Sequence, residues 1–360
     1  MESQAKVVLL LRNKKNDPDS LCAMRIGRMR SYAKTNHLEI IDEVIAREDC
    51  LLHESTAFLN VLNAIENRSE KTKVLTYDDF NGGESHIFDK YKELIARGKV
   101  ELENYCHPCF IEPDEDDARI WRYLTLPKFL DLLQTNMLFF SRADSLRGDD
   151  KTEGASRTNA EVVLADLIRQ AEHQGAPFAP DLGSPLSLVE IVELNERRHL
   201  YGEKHAIKQM FINCWHLNDS ENFAMWKVYS EQFGVCIQSR YSRLVNSFCD
   251  ESYNPYSASG RIYIGKVRYV DWNSYIIPKD NGFWPFVHKK REFSYENELR
   301  CIIWDMENKS FFKKAKIDLN TLIDNIYINP YAPDWFRNVI VDLCKSFNIS
   351  DGRIIKSSLS

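Results

Sequence analysis

Apolar positions in the first hundred residues recur with two alternating periods. Short apolar runs at Lys6–Arg12, Leu38–Ile45 and Thr72–Tyr77 fit strands, whereas Ser20–Asn36, Ser55–Asn67 and Lys90–Arg97 carry apolar residues at helical spacing. Strands alternating with amphipathic helices predict βαβ units with right-handed crossovers, and hence a mostly parallel sheet with helices on both faces. The pattern predicts a Rossmann-like α/β domain over residues 1–104.

The alternation stops at residues 105–118, where Pro108, Pro113 and the acidic run Asp114-Glu115-Asp116-Asp117 predict an exposed linker. Beyond it strand-like runs dominate, at Arg119–Leu124, Met137–Ser141, Met210–Trp215, Gly234–Ser239, Arg261–Tyr269 and Leu299–Trp304. Helical spacing is found at Leu126–Gln134 and Asn222–Tyr229. Two further helical patterns, Asn159–Glu172 and Leu188–Lys204, flank the Pro/Gly/Ser-rich stretch Gly175–Pro185 and make residues 157–207 an insertion. Without regular βα alternation, residues 119–360 are expected to form a larger α+β domain with a mixed or antiparallel sheet.

Length agrees with two domains, because 360 residues exceed what one ordinary core organises. A composition of 44% apolar and 28% charged residues supports sizeable cores and argues against disorder. The formal net charge of -6 offers no global attraction for nucleic acid or an anionic membrane. The opening residues lack a signal-peptide pattern and Val7–Leu11 is too short to span a bilayer, so a cytoplasmic protein without a membrane partner is expected. Nine scattered cysteines are an odd number without disulfide-scaffold density. Cys106-His107-Pro108-Cys109 has the gap of a zinc knuckle, but no second pair follows at finger spacing, so no metal site is expected.

No Gly-x-Gly-x-x-Gly follows the first strand, where Arg12-Asn13-Lys14-Lys15-Asn16-Asp17-Pro18 stands instead. Leu10-Leu11-Arg12-Asn13-Lys14, Ser20-Leu21, Tyr32-Ala33 and Val74-Leu75-Thr76-Tyr77-Asp78-Asp79-Phe80 resemble the catalytic domain of serine recombinases, the resolvases, over residues 6–104. In that family an Arg ending the first strand is soon followed by the nucleophilic Ser, and an Asp-Arg ends the third. Arg12 and Asp78 match, but Lys14 stands in place of the nucleophile and Asp79 in place of the second Arg. The resemblance therefore implies a non-catalytic domain kept for homo-oligomerisation or protein contact. A generic flavodoxin-like module, with Arg12 and Lys14 solvated, is the other reading.

In the second half, several stretches resemble a bacterial family known as domain of unknown function number 2971. They are Ile120-Trp121-Arg122-Tyr123, Leu138-Phe139-Phe140-Ser141 with Asp149 and Glu153, Ile212-Asn213-Cys214-Trp215, Met225-Trp226-Lys227-Val228-Tyr229, Gly234-Val235-Cys236-Ile237 and Tyr295-Glu296-Asn297-Glu298-Leu299-Arg300. One departure is Leu146-Arg147-Gly148-Asp149-Asp150, where the family has Asn-Asp-Pro-Phe. The family implies no settled reaction.

Gathered near strand ends, Arg122, Trp226, Tyr229, Glu296, Glu298 and Arg300 would form a cleft with cations, aromatic faces and two carboxylates. On a strand, Glu296 and Glu298 would share a face and drive their pKa values apart, as an acid/base pair requires. The order of these segments resembles that of ADP-ribosyltransferases. The resemblance implies NAD as substrate, with Glu298 as the catalytic carboxylate, Glu296 positioning a protein or nucleic-acid acceptor, and Arg122, Tyr123, Ser141, Trp226, Tyr229 and Arg300 contacting the dinucleotide. Such an enzyme would suit a bacterial antiviral effector.

Other readings stay open. Glu296 and Glu298, beside Lys289, Lys290, Arg291 and Arg300, also fit a salt-bridged solvent face, and Trp226 and Tyr229 fit ordinary core aromatics. Arg122 also fits a partner for the acidic linker. At the level of function the alternatives are a non-catalytic, ligand-sensing oligomer and a magnesium-dependent nucleic-acid-processing enzyme built on Asp149, Glu153, Glu296 and Glu298.

Overall fold

The structure is a computed structural model; it describes residues 4–48, 55–77, 89–105, 107–148, 150–173, 188–230, 232–249, 253, 255, 260–307 and 310–359. The chain divides into two compact units. One comprises Met1–Asp117 and Asp250–Tyr263, the other Ala118–Cys249 and Ile264–Ser360.

The first unit runs β1 (Lys6–Asn13), α1 (Asp19–Thr35), β2 (Glu39–Arg47), α2 (Thr56–Glu66), β3 (Thr72–Tyr77), α3 (Asp89–Ala96) and β4 (Val100–Asn104). Its sheet has the order β2-β1-β3-β4, with every pairing parallel. Central β1 is buried throughout Val7–Leu11, as a strand covered on both faces must be. Val8 and Leu10 pack against Phe58, Val61, Leu62 and Ile65 of α2, a helix capped where Ser55 Oγ accepts the Phe58 N–H at 3.0 Å. The apolar pattern does not announce β4, because Glu101 and Glu103 occupy its alternate positions. There they pair with Lys71 and Lys73, each at 2.8 Å.

Residues 105–117 are not the exposed linker that their prolines and acids suggested. Tyr105, Cys109 and Phe110 are buried in the first unit. Tyr105 stacks on Tyr77 with ring centroids 5.2 Å apart, and Arg28 takes up two of the acids, Glu112 and Asp116.

The second unit contains β5 (Arg119–Leu124), α4 (Leu126–Thr135), β6 (Met137–Arg142), α5 (Asn159–His173), α6 (Leu188–Gln209), β7 (Met210–Leu217), α7 (Phe223–Tyr229), β8 (Val235–Arg240) and α8 (Tyr241–Ser247). It continues with β9 (Tyr263–Lys266), β10 (Arg268–Val270), β11 (His288–Lys290), β12 (Glu298–Trp304), β13 (Phe312–Lys316), α9 (Leu319–Leu322), β14 (Asn325–Ile328), α10 (Asp334–Ser346) and β15 (Ile354–Lys356). The run expected as one strand over Arg261–Tyr269 is two short ones. β9 joins β12, whereas β10 pairs β11, and between them the Val267 N–H donates to the Glu298 carbonyl at 2.9 Å.

The large sheet is mixed, following the path β13-β6-β7-β5-β8-β14-β15 with β12 joined to β7; β14 and β15 run parallel. Strand β7 determines where a site can form. Along Met210–His216 one edge is fully paired with β12. Its other edge pairs β6 only at Phe211 and Ile212, then β5 only at His216 and Leu217. Across the intervening gap side chains replace the ladder: Asn213 Nδ2 donates to the Phe139 carbonyl at 2.8 Å, and Arg122 Nη1 donates to the Cys214 carbonyl at 3.0 Å. Buried backbone groups need partners, and these two side chains supply them where β5 and β6 part.

Candidate functional site

A cavity of ≈ 690 Å³ lies at this gap. Its wall includes Arg122 and Tyr123 of β5, Ser141 of β6, Cys214 and His216 of β7, Tyr229 at the end of α7, and Glu298 and Arg300 of β12. Lys289, Glu296, Asp150 and Glu153 add to its polar part. The volume falls within the usual range for small-molecule sites.

The carboxylate wall is a buried ion network. Arg300 is 1% exposed and grips Glu153 with both terminal nitrogens, at 2.6 and 2.8 Å. Its Nε donates to Glu298 Oε2 at 2.7 Å and its Nη1 to the Phe286 carbonyl at 2.8 Å. Lys289 Nζ donates to Glu298 Oε1 at 3.0 Å and also to Glu296. Burial alone would raise the Glu298 carboxyl, but Arg300 and Lys289 outweigh it and hold the group ionised, well below the ordinary range. Burial opposes charge on Lys289 as well, and there Glu298 and Glu296 prevail and keep the amine protonated.

Glu296 differs. Burial, reinforced by its contact with Glu298, pushes its carboxyl up to about 7 despite Lys289. Tyr229 OH donates to Glu296 Oε1, and burial raises that phenol, so it remains a donor. The two glutamates meet by a kink and not by the two-residue period of a strand. Glu296 ends a 3-10 turn (Arg291–Glu296), Glu298 begins β12, and Asn297 between them adopts φ 35°. Asparagine tolerates this left-handed conformation. Here it is fixed by Asn297 Nδ2 donating to the Leu217 carbonyl at 2.5 Å and the Leu217 N–H donating to the Asn297 carbonyl at 2.8 Å.

Arg122 brings a different charge. Burial pulls its guanidinium downward, and among the described residues no carboxylate pairs with it. Its contacts are the Cys214 carbonyl and the Trp215 ring, whose centroid lies 5.7 Å from Cζ. An arginine stays protonated in such a place and is free to meet an anion.

The structure thus brings Arg122, Tyr123, Ser141, Tyr229, Glu296, Glu298 and Arg300 to one cavity, but not Trp226. Trp226 is 1% exposed and packs with Trp121, Tyr123, Met225 and Cys236, its indole N–H donating to Glu221 Oε2 at 3.1 Å. On the short helix α7 it faces the core, while Tyr229, three residues on, reaches the cavity. Arg300, also at this wall, is engaged with Glu153 and Glu298. Of the carboxylates named for magnesium, Glu153, Glu296 and Glu298 are paired with Arg300 or Lys289. Among the described residues no group of three or more His, Cys, Asp or Glu is arranged to hold a metal ion. Asp149 and Cys106 lie outside the described residues.

Glu153 stands out in the sequence as part of the family resemblance and as a magnesium ligand, Lys289 as a surface charge, and His216 not at all. His216 follows Trp215 in an apolar strand, with no spacing to single it out. Cys214 also lines the cavity, where burial pushes its thiol well above its ordinary value and favours the protonated form. In the first unit Arg12 is buried and bonded to Glu48 at 3.3 Å, and Lys14 is exposed; Asp78 and Asp79 lie outside the described residues. No described helix is long and apolar enough to cross a membrane. Comparison of the chain with protein-family models, with curated proteins and with solved structures returned no match.

Proposed function

We propose that the second unit is an NAD-cleaving or ADP-ribosyl-transferring enzyme and that the cavity beside β7 is its active site. One observation carries the reading: Arg122, a cation without a carboxylate partner among the described residues, shares a wall with an ionised carboxylate, Glu298, and with a carboxyl poised near neutrality, Glu296. Breaking the bond between ribose C1′ and the nicotinamide nitrogen sends the electron pair to nicotinamide and leaves positive charge on the ribosyl group. An ionised carboxylate already in place stabilises that charge. Water or an acceptor hydroxyl then forms the new bond to C1′, and its proton passes to Glu296, whose raised pKa suits a base working at neutral pH. Arg122 meets the diphosphate, Tyr123 and Tyr229 supply aromatic faces, and Ser141 lines the β6 side of the cavity.

In this reading the first unit is a Rossmann-like platform for self-association and contributes no chemistry. Its parallel β2-β1-β3-β4 order and the pairing of Arg12 with Glu48 support that role.

The test is release of nicotinamide from labelled NAD by the full chain, with and without candidate protein and nucleic-acid acceptors. Glu296→Gln keeps the shape of a protonated carboxyl and should slow release at least about 100-fold with little change in melting temperature. A folded wild-type protein that releases no nicotinamide under any of these conditions removes the reading.

A second reading has its own support. The charge of Glu298 is already met by Arg300 and Lys289, which suits a pocket that senses a ligand without transforming it. In that case NAD or a related nucleotide raises the melting temperature while remaining intact.

A further inference from the structure

The cavity reaches further than the chemistry proposed for it, and the strand register traces its extent. Residues directly opposite in an antiparallel pair lie on one face of the sheet. Arg300 of β12 stands opposite Cys214 of β7; two residues back along β7, on that same face, Ile212 stands opposite Ser141 of β6, and Ser141 stands opposite Phe312 of β13. All of these residues line the cavity. The carboxylate network around Arg300 and the strand β13 therefore share one face, three strand spacings apart, on the order of 14 Å.

At the β13 end that face carries two exposed rings. Phe139, two residues before Ser141, and Phe312 are 38% and 48% exposed, and they stack with centroids 5.2 Å apart and planes at 20°. Both line the cavity. Leu138 and Phe140, which point the other way from β6, are buried and already fill the core side. β13 ends the sheet, so no further described strand covers Phe312. Single exposed apolar residues need no explanation, but a stacked pair forming one wall of a cavity presents π faces to whatever enters. Beside them Lys314, opposite Phe139 in register, donates to both oxygens of Asp131 of α4, at 2.6 and 2.8 Å. That ion pair also lines the cavity. A flat apolar platform with a cation and a carboxylate beside it matches a nucleobase, whose faces stack and whose rim carries acceptors and donors. A purely apolar group would leave Lys314 and Asp131 unused.

We infer that Phe139 and Phe312 form a base-stacking subsite, and that the cavity takes a nucleotide whose base lies on these rings with its rim toward Lys314 and Asp131. The inference rests on the enzymatic reading above only in taking the base to be the adenine of NAD, with the nicotinamide end toward Glu298. An elongated ligand of that kind suits a site whose two ends stand three strands apart.

The experiment is calorimetric titration of the full chain with AMP and with ribose 5-phosphate, joined to photo-crosslinking of the wild type by 8-azido-AMP and mapping of the labelled peptide. AMP should bind about tenfold or more tighter than ribose 5-phosphate, because only AMP can stack. Phe312→Leu should weaken AMP about tenfold and leave ribose 5-phosphate unmoved, whereas Phe312→Trp, which restores a ring, should keep AMP binding. The label should fall in β6, α4 or β13. Equal affinity of the wild type for the two ligands, no binding of AMP, or a label confined to other segments overturns the inference whether or not the variants fold. So does undiminished AMP affinity in a Phe312→Leu protein that keeps the wild-type melting temperature. Base-dependent binding without nicotinamide release leaves the subsite standing and removes the NAD-cleaving reading. Nicotinamide release with KM for NAD unmoved by Phe312→Leu, and with no label in these elements, does the reverse.

Discussion

Glu296 and Glu298 face the same amine, that of Lys289, yet move in opposite directions: of the two, only Glu298 is reached by Arg300, which helps hold it ionised, whereas burial and the contact with Glu298 raise Glu296. The raised group leaves a signature in stability. Between the ordinary value of 4.5 and its own value of about 7, folded Glu296 holds a proton that the unfolded chain has released, so stability falls as pH rises through that window. Glu298, held low, acts oppositely and only below the ordinary carboxylate range, where stability rises with pH. Comparing the urea-unfolding free energy of wild type and Glu296→Gln from pH 5 to 7.5 isolates the first effect: the wild type should lose ground to the variant as pH rises. A difference that is flat with pH would place Glu296 in the ordinary ionised state. Glu153→Gln addresses the other end of the network. It leaves the buried Arg300 guanidinium without its two-pronged partner and should cost about 3–5 kcal/mol in chemical denaturation. Adding Arg300→Met should recover part of that loss, because Lys289 still meets Glu298 and Glu296 can hold its proton.

At the scale of elements, the loop that carries Glu153 is set by a glycine. Gly154 adopts φ +65°, and a Cβ there would sit 2.7 Å from Cε1 of Phe286, the residue whose carbonyl receives Arg300. Gly154→Ala combines backbone strain with an overpacked contact and should cost about 1–3 kcal/mol, seen as a lower melting temperature. An unchanged melting temperature would mean that the Phe286 ring gives way freely. None of this was legible in the sequence, whereas much of the element pattern was. Strand β1 stands out because its apolar run Val7–Leu11 is continuous, β3 and β5 because they are short and rich in apolar and aromatic residues, and the helices between them because their apolar residues recur at helical spacing. β4 hides behind alternating glutamates and β13 behind three lysines, and β14 and β15 are too short to establish a period. The Glu-x-Glu pair and Arg300 were visible as residues, but their meeting depends on the Asn297 kink. The gap between β5 and β6 arises from long-range pairing along β7, which no local pattern encodes. His216 gave no signal for the same reason: its place at the cavity comes from which strands flank it.

At the scale of the whole molecule, chain order and spatial order part company. The chain leaves the first unit after Asp117, returns at Asp250 and leaves again after Tyr263, which is why a single boundary read from prolines and acidic residues missed the arrangement. The returning segment is built into the first unit. Arg261 Nη2 donates to the Tyr105 carbonyl at 2.6 Å, and its guanidinium lies 5.0 Å from the Tyr105 ring centroid and 5.7 Å from that of Tyr32. Tyr263 stacks on Phe110 with centroids 5.2 Å apart. One half-buried cation shared among the rings of Tyr32, Tyr105 and Tyr263, together with a hydrogen bond to a buried residue's backbone, contributes on the order of 2 kcal/mol. Arg261→Ala in the full chain should therefore raise amide hydrogen exchange about tenfold or more in α1 and around Tyr105–Phe110, since each 1.4 kcal/mol corresponds to a factor of about ten. Exchange in β7 and β12 should stay unchanged, because their protection depends on pairing within the second unit. Faster exchange in both regions would mean that the two units open as one cooperative body; no change in either would mean that the returning segment adds nothing to the first unit's stability.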